Sequence, residues 1–305
     1  MKNASKKTFN GPLKPKPPVI FTVKSPSELL LFLIQSFPSK SRNDLKKLLH
    51  DKRILVNDLV ISQFNHKLSE NDTVAIKFEK TIIEEKLRGI KIIFEDKYLI
   101  VIEKEAGVLS IATEKQKENT AYSELSNYVK KQDPQNKIFI VHRLDKDTSG
   151  LMMYAKSPGI QKALQLNWND TILQRTYLAV VEGKMPKKED TIASYLIESK
   201  ALIVYSTKNV TLGQHAITHY EVLKSNARNT LVKLNLETGR KNQIRVHMQD
   251  IGHPVVGDEK YSAKTNLLKR LGLHAWVLAF NHPVSEKEMF FESEIPPVFL
   301  KNFIK

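Results

Sequence analysis

No cysteine occurs anywhere in the 305 residues. That absence removes disulfides, thiolate zinc sites and a thiol nucleophile together. The nine histidines include no His-Glu-x-x-His pair, so the zinc-hydrolase spacing is missing and no metal is expected. No apolar run is long enough to span a bilayer, and no apolar core of a secretory signal follows the basic start of the chain. The expectation is therefore a cytoplasmic protein with no membrane partner. Acid is in short supply: 33 Asp+Glu against 48 Lys+Arg leave a formal charge of +15. Such a surplus favours a polyanion, either RNA, DNA or an anionic surface, without choosing among them.

What is present falls into segments. Residues 1–18 carry Lys2, Lys6, Lys7, Lys14 and Lys16 and no acid, which predicts a disordered basic arm. Ser25-Pro26 reads as a helix start, with Leu29, Leu30, Phe32, Leu33 and Ile34 as the apolar face behind it. After Phe37-Pro38, Leu45, Leu48 and Leu49 recur at helical spacing beside a cluster of Lys40, Arg42, Lys46 and Lys47. A strand at Ile54-Leu55-Val56, a turn at Asn57-Asp58 and a strand over 74–78 close a compact module over residues 19–80. Residues 81–90 are charged, have no turn glycine before Gly89, and read as a linker.

The remainder, residues 91–305, reads as one large domain. Strands are expected at 90–94, 98–102, 175–183, 202–205, 216–223 and 230–236, and helices around 121–129, after Ser157-Pro158, and over 242–251. That balance predicts an α+β fold on a largely antiparallel mixed sheet flanked by helices, rather than a doubly wound parallel sheet.

Within this domain, His142-Arg143-Leu144-Asp145-Lys146-Asp147-Thr148-Ser149-Gly150 stands between apolar runs at 138–141 and 151–155. Asp145 is thus expected on a short polar loop between two strands. The same composition also describes an ordinary turn. Its alternating oxygens imitate the front of a calcium loop, but the twelfth position is Lys156 and the flanks are strand-like, so an EF-hand is excluded. The alternation in residues 175–183 puts Tyr177, Ala179 and Val181 on one strand face, where a tyrosine can equally be plain core packing. On the helix at 242–251, Ile244, Met248 and Ile251 form the apolar stripe, and Arg245 lies at its flank, about 100° from Ile244. A half-buried arginine there needs an anion, either a carboxylate of the protein or a phosphate brought to it. A surface arginine with its stem along the core is the other reading.

Four stretches together resemble the RluA-type pseudouridine synthases, a family of RNA-modifying isomerases. They are the motif 142–150 continued by Leu151 and Ala155-Lys156, and Arg175-Thr176-Tyr177 with Gly183. The third is Thr238-Gly239-Arg240 with Gln243-Ile244-Arg245-Val246-His247, Gly252-His253-Pro254 and Gly257-Asp258; the fourth is Leu273-His274-Ala275 with His282-Pro283. The likeness covers roughly residues 88–299. The sequence departs from the pattern at Glu105, where proline is frequent, and at Lys241-Asn242, which replace Thr-His. The module at 19–80 resembles the S-four-type, or αL, RNA-binding domain through its Ser41-Arg42 helix opening and its Ile54-Leu55-Val56-Asn57 strand. Lys52-Arg53 stand there where that family usually has a glycine.

The resemblance implies a pseudouridine synthase fold preceded by an αL-type domain, and an isomerase acting on RNA. Large-subunit ribosomal RNA is the expected substrate, with transfer RNA as the alternative. Pseudouridine formation breaks the bond from the ribose anomeric carbon to a ring nitrogen, turns the uracil, and rejoins it through a ring carbon. No redox change is involved, so no cofactor is expected. A carboxylate can serve as nucleophile or as base. Asp145 is the implied carboxylate, Arg245 its cation, and Tyr177 the ring that stacks on the uracil. His142, Arg143, Arg240 and Lys241, with Arg42, Lys46 and Lys47 of the small module, are the expected RNA contacts, and a monomer is expected. Two rivals stay open: a non-catalytic RNA-binding protein on the same fold, and a glycosidase pairing Asp145 with Asp147. Alternation on a strand would turn those two acids apart.

Overall fold

The computed structural model describes residues 18–38, 40–51, 53–76, 87–113, 118–301 and 303. The basic arm up to residue 17 and the expected linker up to residue 86 lie outside them. The chain divides into two compact units, Met1–Glu85 and Lys86–Lys305.

In the first unit the elements are β1 (Val19–Thr22), β2 (Ser27–Glu28), α1 (Leu29–Ser36), α2 (Arg42–His50), β3 (Ile54–Val56), β4 (Leu59–Val60), β5 (Lys67–Leu68) and β6 (Thr73–Ile76). Strands pair antiparallel in the order β1-β6-β3-β4, and β2 pairs with β5. The expected helix start at Ser25-Pro26 is corrected. Ser27 and Glu28 are drawn into the ladder with β5, which holds Glu28 extended, so the helix opens at Leu29. α2 opens on Ser41, whose hydroxyl accepts from the Asp44 amide while the Asp44 carboxylate accepts from Ser41, a capping box. Asn57 and Asp58 both take positive φ, the conformation that lets a two-residue turn match the twist of its strands. Leu29, Leu33, Leu45 and Leu49 close over Ile54, Val56 and Val74. Arg42, Lys46 and Lys47 remain exposed, with the Lys46 ammonium 5.8 Å from the Phe64 ring centre.

The second unit runs β7 (Ile90–Glu95), β8 (Leu99–Lys104), α3 (Ala121–Gln132), β9 (Phe139–Ile140), β10 (Ser149–Ala155), α4 (Pro158–Leu166), α5 (Trp168–Thr171), β11 (Ile172–Glu182), β12 (Glu189–Glu198), β13 (Val204–Thr207), β14 (Gln214–Ser225), β15 (Asn229–Leu236), α6 (Gln243–Asp250), a 3-10 turn (Glu259–Tyr261), β16 (Leu273–Asn281), β17 (Glu288–Glu292) and α7 (Pro297–Lys301). One sheet of 11 strands takes the order β13-β12-β14-β15-β11-β16-β10-β8-β7, with β17 beside β16 and β9 beside β10. The β10–β16 pair is parallel and the other pairs are antiparallel, which is the expected α+β class with a mixed, mostly antiparallel sheet.

β10 is buried along its whole length because both of its faces are covered. Met152 and Tyr154 pack with Leu125 and Val129 of α3. Leu151, Met153 and Ala155 pack with Leu164 of α4 and Phe280. α6 lays Ile244 and Met248 on Val232 and Leu234. Where β10 meets β16, Gly150 stands opposite Ala275 at φ +115°, and a Cβ on Gly150 would lie 2.1 Å from the Ala275 carbonyl oxygen. Only glycine fits there.

Candidate active site

Asp145 lies on the loop between β9 and β10, and the backbone on both sides of it is anchored. Before it, the buried Ser110 hydroxyl donates to the Leu144 carbonyl (2.6 Å) and accepts from the Leu144 amide (3.2 Å). After it, the Lys146 carbonyl accepts from the Lys104 ammonium (2.9 Å) and from the Gly107 amide (3.0 Å). Lys104 is fully buried and also donates to the carbonyls of Glu105 and Val108, so three acceptors meet its three protons. Burial pulls its pKa down to about 8, against the raising effect of Asp147 and Asp145.

Arg245 reaches this loop from α6. Its Nη1 donates to Asp145 Oδ2 at 3.2 Å. Its Nε and Nη2 grip both oxygens of Asp258, at 2.6 and 2.7 Å, in a bidentate fork. The Tyr261 ring lies beneath the guanidinium at 4.8 Å. Burial alone would lower the arginine pKa, but the bonds and charge of Asp258, followed by those of Asp145, outweigh it and raise it. Asn242 completes the support from a left-handed backbone at φ 54°, accepting from Arg245 Nη1 (3.3 Å) and donating to the Tyr261 hydroxyl (2.9 Å). The half-buried arginine expected at the flank of the stripe is present, with 14% of its side chain exposed. Its anions are two carboxylates of the protein.

Tyr177 lies on β11 opposite Ala275, in the row that Gly150 continues. It packs in the same cluster as Ala275 and Leu144, the residue before Asp145. Burial raises its phenol pKa against the pull of Arg175, and the Asp145 carboxylate adds to the rise, so the hydroxyl lies in the field of that carboxylate and stays protonated. Among the described residues this hydroxyl makes no hydrogen bond. A carboxylate, a fixed guanidinium and a neutral phenol ring thus border one place. The arrangement can stack a planar base and present an oriented oxygen to it.

The other expected site residues are distributed differently. Arg143 is exposed. His142 turns inward: its Nε2 accepts from the Met153 amide (3.1 Å), its ring lies against Trp168, and burial lowers its pKa to about 4. Arg240 and Lys241 lie on the turn before α6, where Arg240 donates to the His215 carbonyl (3.1 Å) and Lys241 pairs with Glu198. Arg42, Lys46 and Lys47 belong to the first unit. The sequence reading gave no role to Lys104, Ser110, Asn242, Asp258 or Tyr261. The signal available was Asp258 itself, an acid between Gly257 and an aromatic three residues on, within a few residues of a helix that needs an anion.

A family model described as RNA pseudouridylate synthase matches residues 98–250. The ribosomal large subunit pseudouridine synthase D of Buchnera aphidicola is 33% identical over 293 residues, covering 89% of this chain and 92% of that protein. An uncharacterized RNA pseudouridine synthase of Bacillus subtilis, YjbO, is 32% identical over 259 residues, covering 82% and 91%. Among solved structures, human RNA pseudouridylate synthase domain containing 1 shares the fold with a TM-score of 0.57 at 21% identity, over 70% of this chain and 87% of that one. These matches over most of the chain make it a member of the RNA pseudouridylate synthase family.

Proposed function

We propose that this RNA pseudouridine synthase modifies uridines of large-subunit ribosomal RNA, with Asp145 as its catalytic carboxylate. The observation that carries the reading is the chain of contacts from Asp145 through Arg245 to Asp258. A carboxylate that must attack or deprotonate needs a defined orientation, and a guanidinium locked from behind by a second carboxylate supplies one. Tyr177 holds the uracil by stacking, and its protonated hydroxyl is available to a base oxygen. The target uridine is extruded from its RNA to reach this site, and exposed Arg143 takes a neighbouring phosphate. The ribosomal substrate is favoured by the names of the large-subunit relatives. We read the first unit as an S-four-type RNA-binding domain, because its two helices, small sheet and exposed Arg42, Lys46 and Lys47 present a basic helix face.

The test maps pseudouridines in total RNA from cells without the protein, with it, and with Asp145→Asn. The natural protein is expected to restore specific large-subunit positions. The variant should fold and bind RNA yet lose at least about 10³-fold in rate. Restoration by the variant would remove Asp145 from the chemistry, and restoration only in transfer RNA would overturn the substrate. Deleting residues 1–85 should weaken binding to structured ribosomal RNA while the remaining domain stays folded; unchanged affinity would refute the role given to the first unit.

A further inference from the structure

The end of the large sheet has a face that the described helices leave open. In β12, β13 and β14, alternate residues point to opposite sides. One side carries Leu196, Val204 and Ala216 and is closed by Val246 of α6 and by Tyr261. The register puts Tyr195 opposite both Thr207 and His215, and Ile197 opposite Tyr205, so these five side chains share the other side. Tyr205 is 47% exposed and His215 is exposed. The Tyr195 and His215 rings lie 5.1 Å apart at 38°. A cleft of about 490 Å³ opens beside them, with Ala193, Ser194, Ser206, Thr207 and Lys208 also in its walls; the two serines reach it from the α6 side, and among the described residues no acid lines it. Arg240, bonded to the His215 carbonyl, adds a second exposed cation at the margin.

An aromatic pair on an open strand face, a cleft large enough for a base, and cations without acids match the way proteins hold single-stranded RNA. Bases stack on rings set on a sheet, and lysine or arginine takes the phosphates. A protein partner would be expected to meet a larger, more apolar patch with paired charges. We propose that the outer face of β12–β14 is a second RNA-binding site, where Tyr195, Tyr205 and His215 stack bases of a single-stranded stretch of the substrate and Lys208 and Arg240 contact its phosphates. The three rings are separate from the site around Asp145, since they occupy the opposite side of the strands from α6, which carries Arg245. The second site rests on RNA being the substrate of this family member.

The test uses the full chain with a fluorescent single-stranded oligoribonucleotide containing 4-thiouridine. Binding is read by anisotropy, and the photo-crosslinked peptide by mass spectrometry. Crosslinks are expected within 193–215, with roughly tenfold weaker binding for Tyr195→Ala and for Tyr205→Ala. Tyr205→Phe should keep the affinity, because stacking needs the ring and not the hydroxyl. On a long RNA substrate the alanine variants should raise KM and leave kcat in place. Asp145→Asn should still crosslink at 193–215 while losing modification, so failure at the catalytic residue is read separately from failure here. Unchanged affinity in both alanine variants with crosslinks confined elsewhere would overturn the site, as would a face that binds only protein.

Discussion

Asp258 decides how Arg245 meets Asp145. With 1% of its side chain exposed, it takes the Nε edge of the guanidinium and leaves Nη1 for the loop. Removing one partner of a buried pair costs up to about 3–5 kcal/mol, and without Asp258 the guanidinium would keep only the longer bond to the partly exposed Asp145. Asp258→Ala should therefore unfold at markedly lower temperature. Asp258→Asn keeps the volume and one acceptor, so it should fold but lose most of its kcat with little change in KM for RNA; steady-state kinetics beside thermal unfolding would separate the two effects. A kcat equal to that of the natural protein in Asp258→Asn would show that the fork is only structural. At this scale the sequence marks the residues that meet at the candidate site better than the contacts that support them. Asp145, Tyr177 and Arg245 were legible because each has a motif around it. Lys104 and Ser110 act through a carbonyl and an amide of distant segments, and Asn242 through the Arg245 guanidinium and the Tyr261 hydroxyl; no spacing records such contacts. Lys241-Asn242, a departure from the family pattern, proves to place Asn242 in the support of Arg245.

At the scale of elements, the parallel β10–β16 step brings the loop end against β16, in the row where Tyr177 stands. It depends on Gly150, where a Cβ would meet the Ala275 carbonyl at 2.1 Å with the backbone already at positive φ. Gly150→Ala is expected to cost about 3 kcal/mol or more through strain and overpacking. Denaturant unfolding would show this as a lower midpoint, and an unaltered midpoint would mean that the strands part without penalty. Elements were readable in the sequence where one periodicity ruled, as in β11 and in the helix after Ser157-Pro158. β12 carries no clear signal because Ile192, Ala193, Tyr195, Leu196 and Ile197 break strict alternation, with apolar Tyr195 and Ile197 on its open face beside the covered Leu196. The helix start at Ser25-Pro26 was misplaced because pairing with Lys67 and Leu68, about forty residues away, overrides the local signal.

For the whole molecule, proton uptake sets a limit on the acid side. Burial lowers the pKa of His142, His247 and His274 from 6.5 to about 4 each. A depressed folded pKa means that the unfolded chain binds protons which the folded chain refuses. Stability should be complete above about pH 6.5 and fall as pH drops from there through 4. Chemical denaturation across that window should show the loss, and a flat profile would mean that these imidazoles titrate freely. Their partners explain the burial: His247 lies between Thr218 and Ser194, and His274 between Ser149 and Ser293. The division into two units and the basic surplus were legible from composition, whereas the order of 11 strands was not, because non-local pairing leaves no pattern along the chain.

The fork on Arg245 also acts as a filter. Two carboxylates share one guanidinium, so the triad carries a formal excess of one negative charge inside a protein whose total is +15. An RNA strand is drawn to such a protein by its phosphates, yet a phosphate moving toward Asp145 would meet its own sign of charge. A neutral uracil would not. The cation that steadies the Asp145 carboxylate is thereby kept from serving as an anion trap, and the polymer can crowd the surface without its backbone blocking the candidate site.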